Sequence, residues 1–206
     1  MARVSQEHLD ARRRQILDGA ARCFARNGFH ATSMQDVLTE VGLSAGAVYR
    51  YFSGKDAIVA AIAGEAFDGI RAAFLAASRS SPPPTPDVLL GAVLRLVLEE
   101  RTAGGDRQVF ARLILQVWGE TLRDERLAGL LADGFNGMRE VWTDLVEVYK
   151  AEGLMPADVV ADHVARTMIG TVQGFIAQQA LFGDVEVRVL QDGLRALMSM
   201  RSPSES

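Results

Sequence analysis

Residues 32–55 read TSMQDVLTEVGLSAGAVYRYFSGK, and the fold follows from how that stretch divides itself. Ser33 stands directly before a short apolar pattern, with Asp36 three residues on, a variant of the capping box that opens a helix. Met34, Val37, Leu38 and Val41 then fall at the i, i+3, i+4, i+7 spacing of one buried helix face. Gly42 ends that helix, Leu43 plugs the turn, and Ser44 caps a third, very short helix running through about Phe52. Two short helices joined by a glycine-bearing turn have the size and order of a helix-turn-helix.

The second helix of that pair has an uneven surface. Ala45, Gly46 and Ala47 are very small and let the backbone approach a groove. Tyr49, Arg50 and Tyr51 are large and polar-tipped, suited to phosphates and base edges. Val48 and Phe52, four positions apart, anchor the opposite face in a core. Lys55 follows at the start of a fourth helix, where its ammonium would meet a phosphate beside the helix N-terminus.

Upstream, Leu9, Ile16, Leu17, Ala20 and Phe24 form the apolar stripe of a first helix, ended by Asn27-Gly28. Downstream, Ser53-Gly54 interrupts, and Ile58, Ile62, Ala66, Ile70 and Phe74 step by four along a long fourth helix. None of the six prolines precedes Pro82. Four of them, Pro82, Pro83, Pro84 and Pro86, crowd into Ser78–Asp87, which reads as a loop; Pro156 marks another break and Pro203 lies in a polar tail. Between these breaks the periodicity is helical. Val185–Val189 comes nearest to strand alternation, but Leu190, Leu194 and Leu197 continue it at helical spacing. The expected fold is all-α, with a three-helix helix-turn-helix domain over residues 1–56 and a helical domain over residues 57–206.

Composition narrows the function. A chain of 206 residues, 49% hydrophobic and 23% charged, buries a real core in one or two domains. No apolar run approaches the ~18 residues of a membrane span, and the polar start Met1–Glu7 lacks the apolar segment of a secretory signal, so a cytoplasmic location is expected. The single Cys23 leaves no internal disulfide or multi-thiolate metal site. His8, His30 and His163 lack metal-ligand spacing, and neither a Gly-x-Ser-x-Gly elbow nor a phosphate-cradling glycine loop occurs. No catalytic residue, metal or cofactor is expected, and the chain does not read as an enzyme. Charge is unevenly placed: the net −4 divides into +2 through residue 56 and −6 beyond it, which suggests different jobs for the two segments. Arg12-Arg13-Arg14 is either a solvated helix face or a source of one phosphate contact.

Several motifs occur together: Ala21–Phe29, Ala31–Val37, Val41–Phe52 and Gly54-Lys55-Asp56. Through them the stretch Ile16–Ile62 resembles the DNA-binding domain of the tetracycline-repressor (TetR) family of transcriptional regulators. The resemblance implies that Thr32 and Ser33 hold phosphate, that Ser44, Ala45, Gly46 and Ala47 lie at the groove, and that Tyr49 and Lys55 grip the backbone. Arg50 reads either a base or a phosphate. With few hydrogen-bonding side chains early in the recognition helix, specificity leans on Arg50, Tyr51, thymine-methyl contacts and DNA shape.

The same resemblance makes the remaining helices a ligand-binding and dimerisation domain. Ala157–Phe182 and Val185–Met200 look like the final helix pair through which such chains form homodimers, although either face also suits internal core. Phe110, Trp118, Met138, Trp142 and Phe175 are the expected cavity walls, with Gln116, Gln173 and His163 as polar contacts; Phe135, Tyr149 and Met168 belong to the same apolar group, and the pattern equally suits an ordinary packed core. The implied function is a homodimeric repressor that binds a double-stranded, palindromic DNA operator and is released by an unidentified small-molecule effector. The alternative is a helix-turn-helix regulator controlled by a protein partner, with no small-molecule ligand. No membrane partner is expected.

Overall fold

A computed structural model describes residues 6–100, 106–183 and 185–200. These residues form α1 (Gln6–Asn27), α2 (Met34–Val41), α3 (Ala45–Tyr49), α4 (Lys55–Ala77), α5 (Pro86–Arg95) with a π-helical turn at Leu96–Glu100, α6 (Arg107–Glu120), α7 (Glu125–Ala151), α8 (Ala161–Phe182) and α9 (Val187–Met198), with no strand among them. The all-α expectation holds. Residues 1–5 and Pro203 lie outside the described residues.

Local rules set the first three helices. Gly28 (φ +85°) ends α1, and Gly42 (φ +66°) ends α2 with its N–H donating to the Leu38 and Thr39 carbonyls. A side chain at either position would strain the backbone. α1 and α2 cross in close contact where Gly19 leaves room for Val41, and Gln15 Nε2 donates to the Val41 carbonyl at 2.9 Å. Arg22 and Arg26 both reach Glu40, at 2.9 and 3.0 Å, and their hydrogen bonds hold its carboxyl below the ordinary range. Ile16, Ala20, Cys23, Val37, Val48 and Ile58 are fully buried between these elements. Cys23 Sγ lies 3.7 Å from the Asp36 carbonyl; burial, with Glu40 adding to it, pushes the thiol pKa up.

Several boundaries differ from the sequence reading. α3 stops at Tyr49 rather than near Phe52, because the Tyr51 N–H closes a tighter turn on the Val48 carbonyl (2.9 Å) and tucks Phe52 into the core. Pro86 and Asp87 belong to α5, whose first turn needs no proline N–H. Residues 157–160 precede α8, and Val185 and Met200 lie outside α9.

Behind the first three helices, α4 packs on α7, and α8 lies against α6 and α7. α9 is held to α5 by a buried carboxylate. Asp87 Oδ2 accepts from Arg195 at 2.8 and 3.1 Å, Thr85 donates to Oδ1 at 2.5 Å, and Gln191 Nε2 donates to the Asp87 carbonyl at 3.2 Å. Tyr149 on α7 donates to the Pro84 carbonyl (2.5 Å) and so pins the proline loop; burial, with Asp87 nearby, pushes its hydroxyl up to about 12, so it remains a donor.

Candidate functional site

The α2–α3 surface is built on two serine caps. Ser33 Oγ accepts the Asp36 N–H (3.2 Å) and donates to Asp36 Oδ2 (2.7 Å), while the Ser33 N–H donates to the same oxygen at 2.8 Å. Those bonds hold the Asp36 carboxyl below its ordinary value. Ser44 Oγ accepts the Ala47 N–H at 3.3 Å and starts α3. Ser33, Ser44, Ala45, Gly46, Tyr49 and Arg50 are exposed on this side, with Ala47 half-buried beside them. Val48 and Phe52 face the core, as their spacing requires.

Other residues expected here are engaged elsewhere. Thr32 is buried, its hydroxyl bonded to the Gly28 carbonyl (2.8 Å) with the Cys23 carbonyl 3.3 Å away. Its hydroxyl ties the turn after α1 back on that helix and is not presented to a phosphate. Tyr51 is half-buried and packs against the core. Lys55 Nζ donates to the Phe29 carbonyl (2.9 Å), lies 3.5 Å from that of His30, and sits 4.6 Å from the centre of the Phe29 ring. Arg12 bonds Gln15, and Arg13 pairs with Glu65 while lying over the Phe52 ring.

A cavity of about 160 Å³ lies behind the headpiece, walled by α4 to α8 and closed toward the headpiece by Phe24. Phe110, Trp118, Met138, Trp142 and Gln173 line it, as does Phe135. Three of the expected residues do not. Gln116 lies two positions before Trp118, roughly 200° round the helix, and its Oε1 accepts the Phe29 N–H at 2.9 Å. His163 is exposed in the first turn of α8, well before Ile169 and the other α8 residues of the wall. Phe175, two positions past Gln173, is buried in the core without bordering the space. Tyr149 and Met168 do not line it either. The α4 wall, with Ala63, Ala66, Phe67 and Phe74, went unread because its stripe is that of any packed helix; the small Ala63 and Ala66 were the available sign of room.

α6 joins the two places. One side of it contributes Phe110, Leu113, Ile114, Val117 and Trp118 to the cavity. From the same helix, Gln116 and Glu120 reach the α1–α2 turn, where Glu120 Oε1 stands 2.6 Å from His30 Nε2. Gly28 allows this approach, since a Cβ there would come 3.1 Å from Gln116 Oε1.

A capped helix-turn-helix mounted on a helical body with an internal cavity defines a class, the DNA-binding transcriptional regulators. Residues 16–62 match the sequence profile of bacterial regulatory proteins of the TetR family, and residues 91–199 match that of the C-terminal part of BetI-type transcriptional repressors. The chain belongs to the TetR family. It is 48% identical over 65 residues to the HTH-type transcriptional repressor Rv1474c of Mycobacterium tuberculosis, a match covering 32% of this chain and spanning about a third (35%) of that protein's length. The solved structure of Salmonella enterica GusR superposes with a TM-score of 0.71 at 23% identity, over 97% of this chain and 100% of that one. FadR from Bacillus subtilis, solved in complex with stearoyl-CoA, gives a TM-score of 0.71 at 16% identity, over 90% and 96% of the two chains. At such identities the likeness to both structures is one of fold. No described helix is long and apolar enough to cross a membrane.

Proposed function

We propose that the protein is a homodimeric repressor, bound to a palindromic operator through residues 1–56 and released when a small molecule occupies the cavity within residues 57–206. The observation that carries this reading is the double role of α6. The helix that walls the cavity also holds the α1–α2 turn through Gln116 and Glu120. A ligand that shifts α6 changes the seat of the recognition helix, and α4, which begins at Lys55 and runs past the cavity, moves with it. Coupling of a few kcal/mol suffices for a ~10²-fold change in operator affinity. FadR offers a parallel in fold, since it holds an acyl ligand.

Exposed apolar side chains on the last helices supply the second half of the argument. Leu181, Phe182, Val189, Leu197 and Met198 are open to solvent in the single chain, and Gly170 and Gly174 have free space in front of them. Pairing α8 and α9 with a second copy covers this surface and sets two recognition helices about 34–36 Å apart, one turn of DNA. Ser33, Ser44, Ala45, Gly46, Ala47, Tyr49 and Arg50 face the duplex in that arrangement, with Arg50, thymine methyls and DNA shape giving sequence preference.

Selection of genomic fragments by the purified protein, read by sequencing, tests the proposal. Enrichment of a two-fold symmetric site is expected. Arg50→Ala should flatten the preference by about 1–3 kcal/mol, whereas Lys55→Ala, which removes a side chain bonded to the Phe29 carbonyl rather than one facing the duplex, should leave the salt slope unchanged. Retention of DNA without sequence preference, or of none at all, would overturn operator recognition.

A further inference from the structure

We infer that the effector is an uncharged, mainly hydrocarbon molecule whose single buried hydrogen-bonding group meets Gln173; this rests on the reading of the cavity as an effector site. Among the described residues no charged side chain lines the cavity. Apart from the two indoles of Trp118 and Trp142, Gln173 is the one lining residue with a hydrogen-bonding side chain. An ionised carboxylate or ammonium entering this space sheds its hydration and finds no counter-charge, whereas a hydroxyl, carbonyl or amide finds one partner. Gln173 is free to serve: half-buried, its carboxamide makes no hydrogen bond to another described residue. A glutamine amide can donate and accept, so it matches any of those neutral groups.

Size and position add a direction. A space of about 160 Å³ is close to the ~150 Å³ apolar cavity that takes up benzene, so it accepts a ring or a short alkyl segment. A second, open cleft of about 610 Å³ lies between α6, α7 and α8. Trp118, Leu131, Phe135 and Gln173 border both spaces and form the partition between them. The Trp118 and Phe135 rings stand 6.3 Å apart, centre to centre, on that partition. The hydrocarbon part therefore occupies the inner chamber, and the polar group stops at Gln173 on the chamber side of that partition.

Three probes of one chain length separate charge from hydrophobicity: 1-octanol, octanoate and octylammonium, titrated at neutral pH into the full-length protein. Binding is followed by tryptophan fluorescence and by the thermal midpoint. Octanol should bind at least tenfold more tightly than either ion. Equal or tighter binding of an ion, or no binding by any of the three, would overturn the assignment. Gln173→Leu should weaken octanol five- to tenfold while leaving benzene within twofold, the benzene arm showing that the variant still folds around its cavity; unchanged octanol affinity would remove Gln173 from the site. The selected operator fragment, added in parallel, keeps the two readings apart. Octanoate that binds and releases DNA sustains the effector reading and sinks the charge rule, while octanol that binds without altering operator affinity sustains the pocket chemistry and counts against the effector reading.

Discussion

The headpiece and the helices behind it fill their interiors differently. Between α1, α2, α3 and the start of α4, Ile16, Val37, Val48 and Ile58 have no exposed surface, and short polar bonds fix the helix ends. Behind them, Phe67 stands edge to face with Phe135, and Trp118 tilts against the same ring, around about 160 Å³ of space. The contrast matches the demands that the proposed function makes on each region. A surface that fits a DNA groove gains from one fixed geometry, and a body proposed to respond to a guest needs room to repack.

Substitutions at four positions test that contrast, in falling order of effect. Ile16→Ala removes a fully buried side chain from the filled region and should cost about 2–5 kcal/mol in chemical denaturation. A cost under 1 kcal/mol would show that the headpiece interior is as yielding as the body.

Asp87→Asn should cost about 1–3 kcal/mol near neutral pH, because Arg195 and Thr85 lose an ionised acceptor. Burial raises the Asp87 carboxyl, but the Thr85 hydroxyl and the Arg195 guanidinium outweigh it and leave the pKa below the ordinary value. A depressed folded pKa means the stabilisation is present above the unfolded value of roughly 4. It is lost as pH falls through the folded value. The difference between wild type and Asp87→Asn should therefore shrink in thermal scans taken from pH 5 down toward pH 3; a gap independent of pH would assign the effect to shape alone.

Ser33→Ala takes away the side-chain cap of α2 and should cost about 1 kcal/mol. Ser33→Asp should restore most of it, read as denaturation midpoints. Smallest of all, Ala66→Leu pushes methyl groups into the cavity and should change stability by less than about 1 kcal/mol in either direction. If it destabilises as much as Ile16→Ala, the body holds no usable space and the contrast fails.

Legibility in the sequence divides along the same line. Ser33 with Asp36, Gly42, Ser44 and Asn27-Gly28 act on their immediate neighbours, so their structural roles appear in the one-dimensional pattern. Thr32 misled because the family scheme speaks of a position, while the hydroxyl's direction is set by the Gly28 carbonyl in the turn after α1. In the body, periodicity says which residues share a helix face but not which helix that face meets. Trp118 and Gln116 are two positions apart on α6. One borders the cavity and the other holds the Phe29 N–H, and only the packed arrangement separates them. Cavity walls from α4 offer little beyond the small Ala63 and Ala66 for a related reason, since apolar side chains facing a void are spelled like those facing a neighbour.

Cys23 turns the filled headpiece into a timepiece. It is the chain's single cysteine, fully buried where α1 meets the Asp36 end of α2, and its thiol is held protonated by that burial and by Glu40. A thiol reagent must wait for α1 and α2 to part, so each labelled molecule records one opening. Mass spectrometry of an alkylation time course then reads the opening frequency of the recognition domain directly, with no engineered dye. Operator fragments should lengthen the interval between openings.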